Sequence, residues 1–268
     1  MDKASVEIIL LKQLASCLAT PMFVMGPEGH VTYFNESAEA IVGRRFDEMG
    51  GMNRDEWAAA IRATDDDGAT LSDADRPMMS ALDQRAPIHR RIWLHGFDGQ
   101  RHHVDGTAFP LVAENGRFLG ALGVFWKLEG DKTLRPRATS GHEVEIILLR
   151  RLATYLAVPV LILDNDGGLV FFNRAAQPIL GAPFEDVDLQ PGDLYESFAP
   201  TGDDGVLIKA EEHPLSIARL RHEPAHRPFW IRGLDGVRRR IECTALPLIG
   251  QSERILGAFG LFWEMDLE

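Results

Sequence analysis

The sequence predicts an α+β chain built from two copies of one domain. Each copy is a five-stranded antiparallel sheet with short helices on one face and a leading amphipathic helix. Three observations lead there. The hexapeptide VEIILL stands at residues 6–11 and again at 144–149. With an offset of 138, LASCLATPMFVMGPEGHVTYFNESAEAIVGRRF falls on LATYLAVPVLILDNDGGLVFFNRAAQPILGAPF, so Pro21 meets Pro159, Asn35 meets Asn173 and Gly43 meets Gly181. After one deletion in the middle loops the offset becomes 137 and holds to the end, laying RFLGALGVFWK on RILGAFGLFWE. The domains are read as 1–128 and 143–268, joined by a charged linker, 129–142, that carries Pro136 and Gly141.

Each copy opens with a helix, because Val6, Ile9, Leu10 and Leu14 recur at helical spacing beside a second apolar strip of Ile8, Leu11 and Ala15. Val144, Ile146, Ile147, Leu148, Leu149 and Leu152 repeat the pattern. One strip suffices to cover the domain's own sheet, so the surplus strip predicts pairing of helices, within the chain or in a homodimer. Pro21 and Pro159 end these helices. Two short strands follow around Gly29 and Gly167, in MFVMGPEGHVTYF and VLILDNDGGLVFF. Asn35 and Asn173 then stand where an N-cap side chain accepts from free helical amides, and Gly43 and Gly181 suit the helix stop.

The middle third reads as loop with short helices. RDEWAAAI is one, and Pro77 and Pro214 open another in the first turn, where a missing N–H costs nothing. Three strands close each copy, 87–96, 101–112 and 117–127 in the first and 225–233, 238–249 and 254–264 in the second, turned at FDG or LDG and at ENG or SE.

Composition narrows the function. A chain of 268 residues with 45% hydrophobic content can pack two cores, and a formal charge of −12 repels phosphate backbones and anionic membranes alike. No nucleic-acid or membrane partner is expected. Lys12, Arg150 and Arg151 interrupt the apolar runs, so neither run resembles a membrane span or a secretory signal, and a cytoplasmic location is expected. The two cysteines, Cys17 and Cys243, face Tyr155 and Gly106 in the repeat, which argues against a disulfide framework.

The order of elements, the Phe-Asn before an alanine helix (YFNESAEAIVG, FFNRAAQPILG), the helix-starting proline before a three-stranded meander and the closing LGALGVFW or LGAFGLFW together resemble PAS domains. The resemblance covers both copies. It implies sensory and interaction modules whose sheet and short helices enclose a pocket for haem, flavin, a metabolite or nothing, with output passed through flanking helices to an effector. No effector motif is found in this sequence, so output is expected through a partner signalling protein or through assembly.

Candidate chemistry is sparse. Flavin-bearing light sensors of the family carry a reactive cysteine in a segment that reads RRFDEM and APFEDV in this sequence, and its haem binders use a histidine on the last helix before the meander, where only His213 is available. Neither cofactor is expected. His89 and His226 occupy matching strand starts and read as half-exposed strand histidines, with metal or proton sensing as the alternative. DDDG at 65–68 and GDDG at 202–205 lack the spaced carboxylates of a calcium loop and read as solvated loops. Candidate pocket residues are Met25, Phe34, Asn35, Trp57, Leu122 and Val124, with Phe172, Asn173, Tyr195, Phe259 and Leu261 in the second copy. Both alternating sets of the last strand are apolar, so both sheet faces should be covered.

Three classes follow: a non-enzymatic sensor of a small, largely apolar ligand, an unliganded scaffold for protein–protein contact and dimerisation, and an enzyme. The last has no nucleophile–base pair or matched carboxylates behind it.

Overall fold

The computed structural model describes residues 6–113, 116–128, 137–138, 144–154, 156–250 and 254–265. The chain divides into two compact units, 1–133 and 134–268, each an α+β domain with an antiparallel sheet.

In the first unit, helix α1 (Val6–Cys17) precedes the hairpin β1 (Met22–Met25) and β2 (Val31–Phe34). Short helices α2 (Glu36–Val42), α3 (Phe46–Met49) and α4 (Arg54–Ala60) follow, then β3 (Arg62–Thr64) and α5 (Pro77–Gln84). The meander β4 (Ile88–His95), β5 (Arg101–Val112) and β6 (Phe118–Lys127) closes it. The sheet runs β2-β1-β6-β5-β4-β3. The sixth strand was not expected. RAT is too short to show alternation, and it pairs antiparallel with β4, Arg62 opposite His95 and Thr64 opposite Trp93.

The second unit repeats the plan. β7 (Arg137–Ala138) lies in the segment read as linker and pairs in parallel with Arg254 and Ile255. It is followed by α6 (Val144–Thr154), β8 (Val160–Asp164) and β9 (Leu169–Phe172), then α7 (Gln177–Leu180), α8 (Asp193–Phe198), α9 (Pro214–Arg221), β10 (Ala225–Arg232), β11 (Arg238–Gly250) and β12 (Arg254–Glu264). Its sheet runs β10-β11-β12-β8-β9.

Asn35 and Asn173 each join three elements. Asn35 Oδ1 accepts from Ala38 N at 3.1 Å, capping α2, and from Met22 N at 3.0 Å, while Nδ2 donates to the carbonyls of Ala15, Leu18 and Thr20. Asn173 does the same with Ala176 N, capping the 3₁₀ turn Arg174–Ala176 that leads into α7, with Val160 N, and with the carbonyls of Ala153, Leu156 and Val158. One buried amide thus fixes the end of the leading helix, the first strand and the helix after the hairpin. A cation over an aromatic ring adds a second tie in both copies: Lys12 lies 5.8 Å from the Tyr33 ring centroid and Arg150 lies 5.4 Å from that of Phe171.

The leading helices bury Leu11, Ala15, Ile146 and Leu149 and expose Ile9 and Ile147, with Ile8 half-buried. The exposed apolar positions therefore belong to the Ile9 row, and Leu11 and Leu149 are not the surplus strip. The side chains of Val6, Leu10, Leu14, Val144, Leu148 and Leu152 lie outside the described residues.

Candidate functional site

In each unit the short helices close over one face of the sheet. The strand period decides which side chains meet there. Ala121 and Phe125 of β6 belong to the helix-side core with Phe23, Met25, Trp57 and Met78. Leu122 and Val124 point the other way, opposite Phe109 and Thr107 on β5. Phe259 and Leu261 likewise occupy the far face of β12, and the pocket side is Gly260 and Phe262. Four candidates thus sit on the wrong face. Both alternating sets are apolar and buried, so polarity could not tell them apart. The usable signal was size: small Ala121 and Gly123, or Ala258 and Gly260, admit the last helix against the sheet.

Phe34 and Phe172 are core residues, with Phe34 stacked edge-on against Phe46 at 5.1 Å and Phe172 against Phe184 at 5.2 Å. Asn35 and Asn173 spend their side chains on the junctions described above. Met25, Trp57 and Tyr195 do line the interior spaces.

Those spaces differ between the copies. The first holds about 50 Å³, walled by Phe23, Trp57, Met78, Met79, Ile92 and Phe125 among others. The second holds about 270 Å³. Aligned substitutions account for the difference. Phe23 and Met79 become Leu161 and Ser216, which removes bulk, and Leu82 becomes Arg219, whose guanidinium reaches out to the Asn165 carbonyl. Gly106 becomes Cys243, with an indirect effect. In the first copy the Phe125 ring lies where a Cβ on Gly106 would be, and it also crowds Gly123. In the second copy Cys243 occupies that volume, and the nearest neighbours of a Cβ on Gly260 are Leu215 and Leu161 rather than the ring of Phe262. Moving one ring off the sheet leaves space beneath α9.

The larger cavity is mostly apolar: Leu161, Leu163, Phe198, Leu215, Phe229, Ile231, Ile241 and Phe262 line it. Its polar groups are few. His213 Nδ1 accepts from Leu215 N at 3.3 Å, capping α9, and this assigns the ring proton to Nε2. The ring meets Phe229 at 5.1 Å and Tyr195 at 6.5 Å, both edge-on. Burial, helped by nearby Arg227, pulls its pKa down to about 4, so it is neutral at ordinary pH. Burial pushes the Cys243 thiol up to about 12, which makes it an inert filler rather than a nucleophile. Ser216 and Arg219 complete the α9 side, and Arg219 Nη1 donates to Asn165 O at 3.0 Å.

On the opposite sheet face a second arrangement occurs twice. His89 Nδ1 lies 2.9 Å from Thr107 Oγ1 and its Nε2 lies 3.7 Å from Asp105. His226 repeats this with Thr244 at 2.8 Å and Glu242 at 3.7 Å. These histidines are buried more deeply than expected, their side chains 15% and 10% exposed. The acidic loops also have a role the sequence reading missed: Asp66 and Asp203 each accept from a strand tryptophan, Trp93 or Trp230, at 2.9 Å. The shared W–x–H/R spacing of the strands was visible, but its partner loop was not. Among the described residues, no group of three or more His, Cys, Asp or Glu side chains could hold a metal ion, and no helix is long and apolar enough to cross a membrane.

A family model described as the PAS fold matches residues 18–130, and a second of the same description matches residues 148–264. No curated protein matches. Among solved structures, a PAS domain from Colwellia psychrerythraea is similar at 17% identity, covering 45% of this chain and 96% of that one, with a TM-score of 0.34. The PAS domain of nitrogen regulation protein NR(II) from Vibrio parahaemolyticus is similar at 16% identity over 44% of this chain and 98% of that one, TM-score 0.34. An RNA-binding light-oxygen-voltage receptor is similar at 12% identity over 91% and 95%, TM-score 0.35.

Proposed function

The chain belongs to the PAS family, with two PAS domains in tandem, and from that premise we propose a non-enzymatic sensory or regulatory protein whose second domain binds a small, largely apolar ligand. The first domain serves as a packed scaffold, and output passes through the leading helices to a second copy of the chain or to a signalling partner.

The observation that carries this reading is the contrast of about 270 Å³ against about 50 Å³ in two otherwise matching domains. A cavity of about 150 Å³ already accommodates benzene, so the second domain has room for a molecule of modest size and the first does not. The larger space falls just short of the range of about 300–1,000 Å³ typical of drug-sized ligands. Ile9 and Ile147, exposed at equivalent helix positions, support the assignment of output to the helices. In the alternative, an unliganded scaffold, both domains act only through their surfaces.

Native mass spectrometry and an absorbance spectrum of the full chain separate the readings. The ligand reading expects a colourless, substoichiometric or stoichiometric small-molecule adduct and no haem or flavin band. A stoichiometric coloured cofactor contradicts it. A bare mass, together with no uptake of small apolar molecules, favours the scaffold.

A further inference from the structure

The ligand's chemical class can be read from the helix over the cavity. α9 turns His213, Ser216 and Arg219 toward it, three residues apart on one helix face. The first domain has Arg76, Met79 and Leu82 at the aligned positions, with Met79 and Leu82 buried in its core. Two apolar side chains have become a hydroxyl and a guanidinium, both half-buried, beside a mostly apolar space.

Among the described residues the guanidinium of Arg219, half-buried at the cavity, has no carboxylate partner. The first domain also carries an arginine at its corresponding turn, where Arg54 packs on Gly29, but that guanidinium bonds Asp73 at 3.0 Å and Asp83 at 2.6 Å. In the second domain the arginine at the turn comes from α9 instead and packs on Gly167, and its guanidinium donates to the backbone carbonyl of Asn165. Among the described residues no carboxylate lies within 4.0 Å of it. Asp166, also at the rim, is exposed and not within that distance.

We infer that the second domain binds a small carboxylic acid with an apolar body, its carboxylate on the free donors of Arg219 and its body among Leu161, Leu215, Phe229 and Phe262. Ser216 lies between these ends and serves as a further donor. This rests on the reading of the second domain as the ligand-binding one.

The test is calorimetric titration of the full chain with phenylacetate, 3-phenylpropionate, hexanoate and octanoate, each beside the alcohol of the same carbon skeleton. At least one acid should bind at least tenfold more tightly than its alcohol, the scale expected for one charge-assisted hydrogen bond. Arg219→Leu, which installs the first domain's residue, should erase that preference while leaving the alcohol's affinity within twofold, and Arg219→Lys should keep most of it. Unchanged thermal unfolding checks that the variants fold. Alcohols binding as well as acids, or a preference that survives Arg219→Leu, overturns the acid assignment and leaves the cavity reading standing. If no acid and no alcohol binds, both readings fall.

Discussion

Replacing Asn173 tests how the leading helix is held. In Asn173→Ala, Val160 N, on a residue with no exposed surface, loses its acceptor, and Ala176 N loses the helix cap. The carbonyls of Ala153, Leu156 and Val158 lose their shared donor. A stranded buried N–H costs about 1–3 kcal/mol and a lost cap about 1 kcal/mol, giving a loss of about 3 kcal/mol, a large part of the 5–15 kcal/mol stability of a typical domain. Asn173→Asp discriminates further. It retains both acceptor bonds but turns a carboxylate toward three carbonyl oxygens in a buried site, which raises its folded pKa above the ordinary value of about 3.9. A carboxyl raised in the folded state stabilises below its unfolded pKa and loses that contribution as pH rises. The aspartate variant should therefore be further below wild type at pH ~8 than at pH ~5. Urea denaturation of both variants and wild type at the two pH values measures this. A loss below about 1 kcal/mol for alanine, or an aspartate deficit independent of pH, would refute the junction role.

Three further outcomes follow from the same geometry. Gly106→Ala should destabilise the first domain by about 1–3 kcal/mol, because its Cβ overlaps the Phe125 ring, and urea unfolding with no change would show that the ring has room to move. His213→Asn keeps a good N-cap but removes a titration; since the folded histidine sits near 4, below its ordinary 6.5, its contribution is full above pH 6.5 and lost as pH falls toward 4, so the variant should lose less stability than wild type over that interval. Equal acid sensitivity would place the effect elsewhere, on His89, lowered to about 4 by burial and by Arg91, or on His95, His102 and His222, which burial also lowers. Ile9→Asp and Ile147→Asp together should weaken self-association in light scattering without lowering the melting temperature, whereas a monomeric wild type at tens of micromolar would remove the dimer from the account.

The repeat made the fold readable. Once Pro21 lay on Pro159 and Asn35 on Asn173, each weak local signal was seen twice, and the strands of the meander came out within a residue or two of their observed ends. The cap role of Asn35 followed from its position between strand and helix, but its three carbonyl acceptors did not, because they depend on where α1 ends in space. The pocket was less legible. β6 and β12 are apolar on both faces, so alternation could not say whether Val124 or Phe125 faced the helices. The Gly106–Cys243 exchange was visible as a mismatch in the repeat, yet its consequence acts through the ring of Phe125 on the neighbouring strand. Burial of His89 and His226 was missed because their threonine and carboxylate partners lie across the strand pair.

Methyl-labelled NMR of the full chain during titration with 3-phenylpropionate tests the division of labour between the domains most directly. Resonances of Leu161, Leu163, Leu215, Ile231 and Ile241 should shift and saturate together, while those of Met78, Met79, Ile92 and Leu94 stay in place. Saturable shifts in the first set of residues alone are what an open second domain and a filled first domain require; saturable shifts in the second set, or in both, would contradict the account.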